Sequence, residues 1–283
     1  MAKKKKKTRQ KAVYIIFSVL FLGMFAFAAF KLITIGASYA HNRRVQNDIQ
    51  DLFFNTSLPA GYSGPEYSVG ENSRNNYDMV SGFDHEESVD PYVDALPSYD
   101  FTPLLEVNRD IKGWLSISNV AINHPVAQSS DNEYYLYRNI YREFESAGTC
   151  FVDYRVDAQT CRNLVIYGHS MKDGSMMGKL RRYLKKDEGL AHPFFWYFTP
   201  DHVYRCDVFS TYLTTIEDDY LVFDFANDDE FMAYVKQIKK WSAYDFGVEV
   251  TPADRIITLS TCNYSIVKED GRQALHAVMV QVK

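Results

Sequence analysis

Eighteen consecutive residues without a charge, "VYIIFSVLFLGMFAFAAF" from Val13 to Phe30, constrain this chain more than any other feature. As a helix they rise about 27 Å, close to the hydrocarbon thickness of a bilayer. Lys31 can snorkel, and "LITIG" carries the apolar stretch to Gly36. A buried core helix rarely runs so long without a charge. A cleaved signal peptide is the stronger rival, although its apolar region is usually shorter and ends at a small-x-small site, which "ASYA" at 37–40 roughly offers. An uncleaved anchor over 13–36 fits best. Residues 1–12 then form a basic cytoplasmic tail, and the positive-inside rule sends the chain beyond about residue 37 outside. The expected location is the cell membrane, single-pass, with an extracellular globular part.

The tail holds Lys3, Lys4, Lys5, Lys6, Lys7, Arg9 and Lys11, seven cations and no acid. Removing them from the net charge of −5 leaves −12 for the remainder. So acidic a body is a poor nucleic-acid binder, because phosphate contacts need clustered Lys and Arg. Four cysteines do not make a disulfide-dense scaffold. Cys150 and Cys161 could face each other on neighbouring strands, leaving one bridge open. The cysteine spacings contain no CxxC, so neither a zinc site nor another metal centre is expected.

Residues 38–58 carry apolar positions at helical spacing. Residues 59–98, rich in Gly, Ser, Asn, Asp and Pro, read as a stalk or flexible linker. The segment 37–100 is thus a juxtamembrane helix and stalk, and 101–283 is the globular domain. Its text predicts a short helix in "FTPLLEV", a turn at Lys112–Gly113, and strands in "WLSI", "VAINHPVA", "GTCFVDY", "NLVIYGH", "FFWYF", "VYRCDVFSTYL", "RIITLSTC" and "ALHAVMVQV". "NEYYLYRNI" reads as a short helix or turn, and "SMMGKLRRYLKKDEGL" has helical spacing. "DDEFMAYVKQIKKWSA" puts Phe231, Tyr234, Val235, Ile238 and Trp241 on one helix face. Many short strands with few helices predict a mainly β fold, a barrel or sandwich with helical insertions.

Cys262 ends the apolar strand "RIITLSTC" and is followed by polar residues. A free cysteine is usually a small buried hydrophobe, but a strand end presents a reactive group on a rigid support. A nucleophilic thiol needs a base or cation nearby. Of seven histidines, His41 and His85 lie outside the globular part. His124, His192 and His202 sit beside Pro or Asp and read as surface residues, and His276 alternates in a strand and reads as structural. His169 follows "NLVIYG" and so sits at a strand exit, as Cys262 does. Arg272 lies ten residues after Cys262, across a loop whose "DG" marks a turn before the last strand. Its guanidinium can hold an oxyanion, although an arginine there is ordinarily a surface residue.

"TLSTC" before a loop, an Arg ten residues on, and "YGH" followed by "SMKDGSMMGKL" resemble the sortase family, specifically class B. The likeness runs from about Phe101 to the C-terminus and includes "GWLSI", "DNEYYL" and "GTCFVDYR". It implies a sortase-like closed β-barrel with a helix ahead of the cysteine strand, where 228–243 lie. It implies a cysteine transpeptidase that cleaves a C-terminal sorting motif of surface proteins after Thr and passes the acyl group to a cell-wall peptidoglycan amine, without a cofactor. Cys262 would be the nucleophile, His169 the acid and base, and Arg272 the oxyanion donor. Asn132, Leu136 and Ser260 would touch the sorting motif, against the plainer readings of helix cap, core residue and strand residue. Two departures stand out: Met177 where Phe is common, and Asn263 where an acid often follows the cysteine. A pilin-polymerising sortase, hinted at by "DPY" at Asp90–Tyr92, and a non-enzymatic anchored binding module remain alternatives.

Overall fold

The structure, a computed structural model, describes residues 2–54, 96–263, 265 and 270–283. The stalk reading of 59–98, all but its last three residues, falls outside the described residues, as do His85 and Asp90–Tyr92. The chain divides into two compact units, Met1–Asp48 and Ile49–Lys283.

Helix α1 spans Ala2–Phe53. Its segment from Tyr14 is long and apolar enough to cross a membrane. In the second unit, α2 (Thr102–Val107) precedes eight strands: β1 (Ile111–Ile117), β2 (Ile122–Ala127), β3 (Cys150–Val152), β4 (Asn163–Tyr167), β5 (Phe194–Phe198), β6 (Val203–Thr215), β7 (Ile256–Cys262) and β8 (Gly271–Gln281). They close into a barrel in the order β1-β2-β3-β4-β7-β8-β6-β5. Most neighbours are antiparallel, while β2–β3 and β4–β7 are parallel. Closure leaves no open sheet edge among the described strands. Inward residues Leu115, Ile117, Val152, Leu164, Ile166, Ile257, Leu259 and Leu275 fill the interior.

The last turn of α1 belongs to this second unit. Phe53 is fully buried and stacks on Trp114 of β1, with ring centroids 4.2 Å apart. The compact unit therefore starts well before residue 101, because Ile49, Phe53 and Phe54 continue the helix's apolar spacing onto the barrel wall. Helix α4 (Asp228–Trp241) packs Phe231, Tyr234, Val235 and Ile238 over a second cluster with Phe209, Ile256 and Val278. Asn227 caps it by accepting the Glu230 N–H at 3.0 Å.

Three local expectations need correction, and one open alternative is decided. Lys112–Gly113 is no turn: both lie within β1 at a register irregularity, and Gly113 passes so close to the Tyr197 ring and the Phe198 carbonyl that a side chain has no room. "SMMGKLRRYLKKDEGL" is not one helix but a 3₁₀ turn at Leu180–Leu184 followed by α3 (Lys186–Leu190). His124 is not on the surface. It is buried in β2 opposite Leu115, and desolvation pushes its pKa down to about 4. Cys150 and Cys161 are not bridged; both thiols are free, and burial pushes that of Cys150 up to about 12.

Candidate active site

Cys262 and Arg272 face each other as a register pair across the antiparallel β7–β8 ladder. The ladder continues one step further, where the Asn263 N–H donates to the Gly271 carbonyl at 2.9 Å. The loop between the strands thus begins only after the thiol has been placed. Arg272 also pairs with Thr214 on β6, so its Cα is fixed from both sides. Its Nη1 donates to the Gly271 carbonyl at 3.0 Å.

His169 reaches the same end of the barrel through the parallel β4–β7 pair. Tyr167, two residues before His169, is in register with Ser260, two residues before Cys262, so both chains leave the barrel at the same end. The exit is tied down by Thr261, whose hydroxyl donates to the Gly168 carbonyl at 2.7 Å. The Gly168 N–H completes the link to the Ser260 carbonyl at 3.4 Å. His169 is half-buried. Desolvation lowers its pKa, and the Leu136 carbonyl, 2.8 Å from Nε2, acts in the opposite direction. The result favours a neutral imidazole able to accept a proton.

The remaining three candidates sit in distinct settings. Ser260 is buried, and its hydroxyl lies 3.0 Å from that of Tyr220. Leu136 is partly buried in the 3₁₀ turn Tyr134–Tyr137, and its carbonyl is the one that meets His169. Asn132 does not cap that turn; the side chain of Asp131 accepts from the N–H groups of Glu133 and Tyr134 just ahead of it. Asn132 instead donates to Asp153 at 2.9 Å, and Asp153 also accepts from the Tyr167 hydroxyl at 2.8 Å. Asn132 is therefore joined to the His169 strand through a buried carboxylate. Among the described residues, no group of three or more His, Cys, Asp or Glu is placed to hold a metal ion.

Tyr220, in the loop between β6 and α4, was not singled out by sequence. Burial raises its pKa, while the hydrogen bond to Ser260 and the Arg272 guanidinium act in the opposite direction. The Tyr234 hydroxyl on α4 donates to the Tyr220 carbonyl at 2.8 Å. The only local signal is an aromatic residue closing the acidic run "EDDY".

No family model matches the chain. Sortase B of Listeria monocytogenes is 41% identical over 178 residues, 62% of this chain and 72% of the relative. The chain belongs to the class B sortases. A crystal structure of sortase B from B. anthracis in complex with AAEK1 superposes with a TM-score of 0.66 at 32% identity, covering 87% of this chain and 99% of that one. A Staphylococcus aureus sortase B–substrate complex superposes with a TM-score of 0.61 at 33% identity, covering 65% and 85%. As a class B sortase the chain is a cysteine transpeptidase with a mainly β, eight-stranded closed barrel. The Asn263 departure has a local consequence. Its side-chain oxygen accepts from the backbone N–H and hydroxyl of Ser265, at 3.1 and 2.6 Å, so it shapes the loop beyond the cysteine.

Proposed function

We propose that this sortase cleaves a C-terminal sorting motif of surface proteins after its threonine and joins the new acyl group to a cell-wall peptidoglycan amine. The observation carrying the reading is the register that pairs Cys262 with Arg272 while His169 leaves the adjacent parallel strand. Neutral His169 takes the thiol proton of Cys262, and the resulting thiolate attacks the threonine carbonyl. The tetrahedral oxyanion forms beside the Arg272 guanidinium, whose planar fork donates to it. His169 in its protonated form gives its proton to the departing amine, and a thioester remains on Cys262. The acceptor amine then attacks the thioester, loses its proton to neutral His169, and expels the thiolate.

Ser260 and Tyr220 form the floor under the motif, and Leu136 and Asn132 line its opposite side. Residues 13–36 anchor the enzyme in the membrane, with 1–12 cytoplasmic and the catalytic domain outside, where its substrates are. Processing of a labelled sorting peptide in the presence of an amine tests the reading. Wild type should form the amide product and Cys262→Ala should form none. Equal processing by both would sink the assignment of the nucleophile.

A further inference from the structure

The backbone carbonyl of Leu136 is a tightly held group near the site that the reaction steps leave unused. Three successive carbonyls of its 3₁₀ turn each have a different acceptor role. That of Tyr135 accepts the Thr149 N–H at 3.0 Å, and that of Tyr137 accepts the Glu145 N–H at 3.0 Å. The middle one, Leu136, lies 2.8 Å from His169 Nε2. Flanking bonds on both sides leave the Leu136 oxygen little freedom to swing away.

The loop is also held from below and behind. The Tyr135 hydroxyl donates to Asp110 at 2.6 Å, and Asn108 Nδ2 donates to the Tyr135 hydroxyl at 2.8 Å and to the Ile140 carbonyl at 2.9 Å. The Thr149 hydroxyl donates to the Arg138 carbonyl at 2.8 Å. Gly148 closes the loop at φ +60°, a left-handed conformation that favours glycine. A Cβ at Gly148 would lie well inside van der Waals contact of the Leu136 and Tyr135 carbonyl oxygens. Glycine at 148 is thus what lets the Leu136 carbonyl sit where His169 meets it.

We propose that the Leu136 backbone carbonyl is the orienting partner of His169, and that Gly148 keeps it aimed, both acting as positioning residues. A carbonyl oxygen only accepts, so the ring must carry its proton on Nε2, and the lone pair of the neutral imidazole is on Nδ1. Nδ1 takes the proton from the attacking thiol or the incoming amine. The resulting imidazolium keeps its Nε2–H on Leu136, now as a charge-assisted bond, and Nδ1 returns the proton to the leaving amine. Among the described residues the ring makes no other hydrogen bond. The carbonyl therefore does the orienting that a carboxylate does in a Ser-His-Asp triad.

The inference rests on the proposed role of His169 for its catalytic meaning, but the test reads the resting enzyme. Full-length chain in detergent, labelled with ¹⁵N in its histidine rings, should show His169 as the Nε2–H tautomer at neutral pH. Gly148→Ala should shift His169 toward a tautomer mixture and lower kcat by roughly 100-fold with KM little changed, as expected for a misplaced catalytic group. Leu136→Ala, which keeps the carbonyl, should leave the tautomer as in wild type. An Nδ1–H tautomer in wild type overturns the proposal, as does an unchanged tautomer in folded Gly148→Ala. If Gly148→Ala does not fold, the wild-type tautomer alone decides. Turnover surviving in Cys262→Ala would instead overturn the reaction reading and leave the tautomer result standing.

Discussion

Cys262 and Arg272, ten residues apart in sequence, are direct cross-strand partners on β7 and β8. Their side chains share the barrel end at which His169 leaves β4. The pairing sets what replacing the arginine must do. Arg272→Ala should lower kcat/KM by about 10²–10³, the range for removing one oxyanion donor. Arg272→Lys should recover little of it, because a single ammonium does not reproduce the planar fork. Single-turnover acylation of Cys262 is the measurement. Wild-type acylation by the lysine variant would contradict an oxyanion role.

Ser260, two residues before Cys262 on β7, and Tyr220 share a buried hydrogen bond of 3.0 Å. Ser260→Ala and Tyr220→Phe should each reduce kcat/KM, and the double variant should lose less than the product of the two effects. The coupling should be about 1 kcal/mol. A double-mutant cycle measures it, and strictly additive losses would show that the pair does not act together.

Stability should fall on mild acidification. His124 and His276 are buried, and desolvation pushes them down to about 4 and about 3 from an ordinary 6.5. On acidification the unfolded chain therefore binds protons that the folded chain refuses. Their stabilising contribution is fully present above pH 6.5 and is lost as pH falls toward those folded values. Between pH 7.5 and 5 the loss should be about 2 kcal/mol for each histidine. Urea unfolding at the two pH values reads it directly, and equal midpoints would refute the expectation.

Phe53 is a core residue of the compact unit despite lying in α1, stacked on Trp114 and edge-on to Phe101 and Phe198. Phe53→Ala should destabilise that unit by about 3–5 kcal/mol. Denaturant unfolding of residues 38–283 with and without the substitution checks it. A change under about 0.5 kcal/mol, as for a surface site, would mean that the last turn of α1 does not hold the barrel.

Local sequence determined a good deal of this protein. The uncharged run from Val13 predicted a long apolar helix, and α1 contains it. Alternating β-branched and aromatic text predicted the strands, and the amphipathic spacing of 228–243 predicted α4, which ends two residues earlier at Trp241, itself more than one-third exposed. The Cys262–Arg272 relationship was legible because β7 and β8 are consecutive strands, and consecutive strands tend to pair. These signals act over a few residues, which is the range over which propensity and periodicity operate.

Only the tertiary structure decided the rest. The β4–β7 pair is parallel and joins segments about ninety residues apart, and parallel strands have no hairpin to announce their register. That pairing brings His169 to the barrel end where β7 delivers Cys262. Closure of the barrel buried His124 in text that looked like a surface turn, and drew Lys112 and Gly113 into β1. The Leu136 carbonyl, the Gly148 cradle and the Tyr220 phenol have no sequence pattern, because a backbone oxygen and a loop aromatic gain their partners only when distant loops pack together. Residue types and strand ends were written locally. Which of them meet was set by long-range register, and no window of sequence spans it.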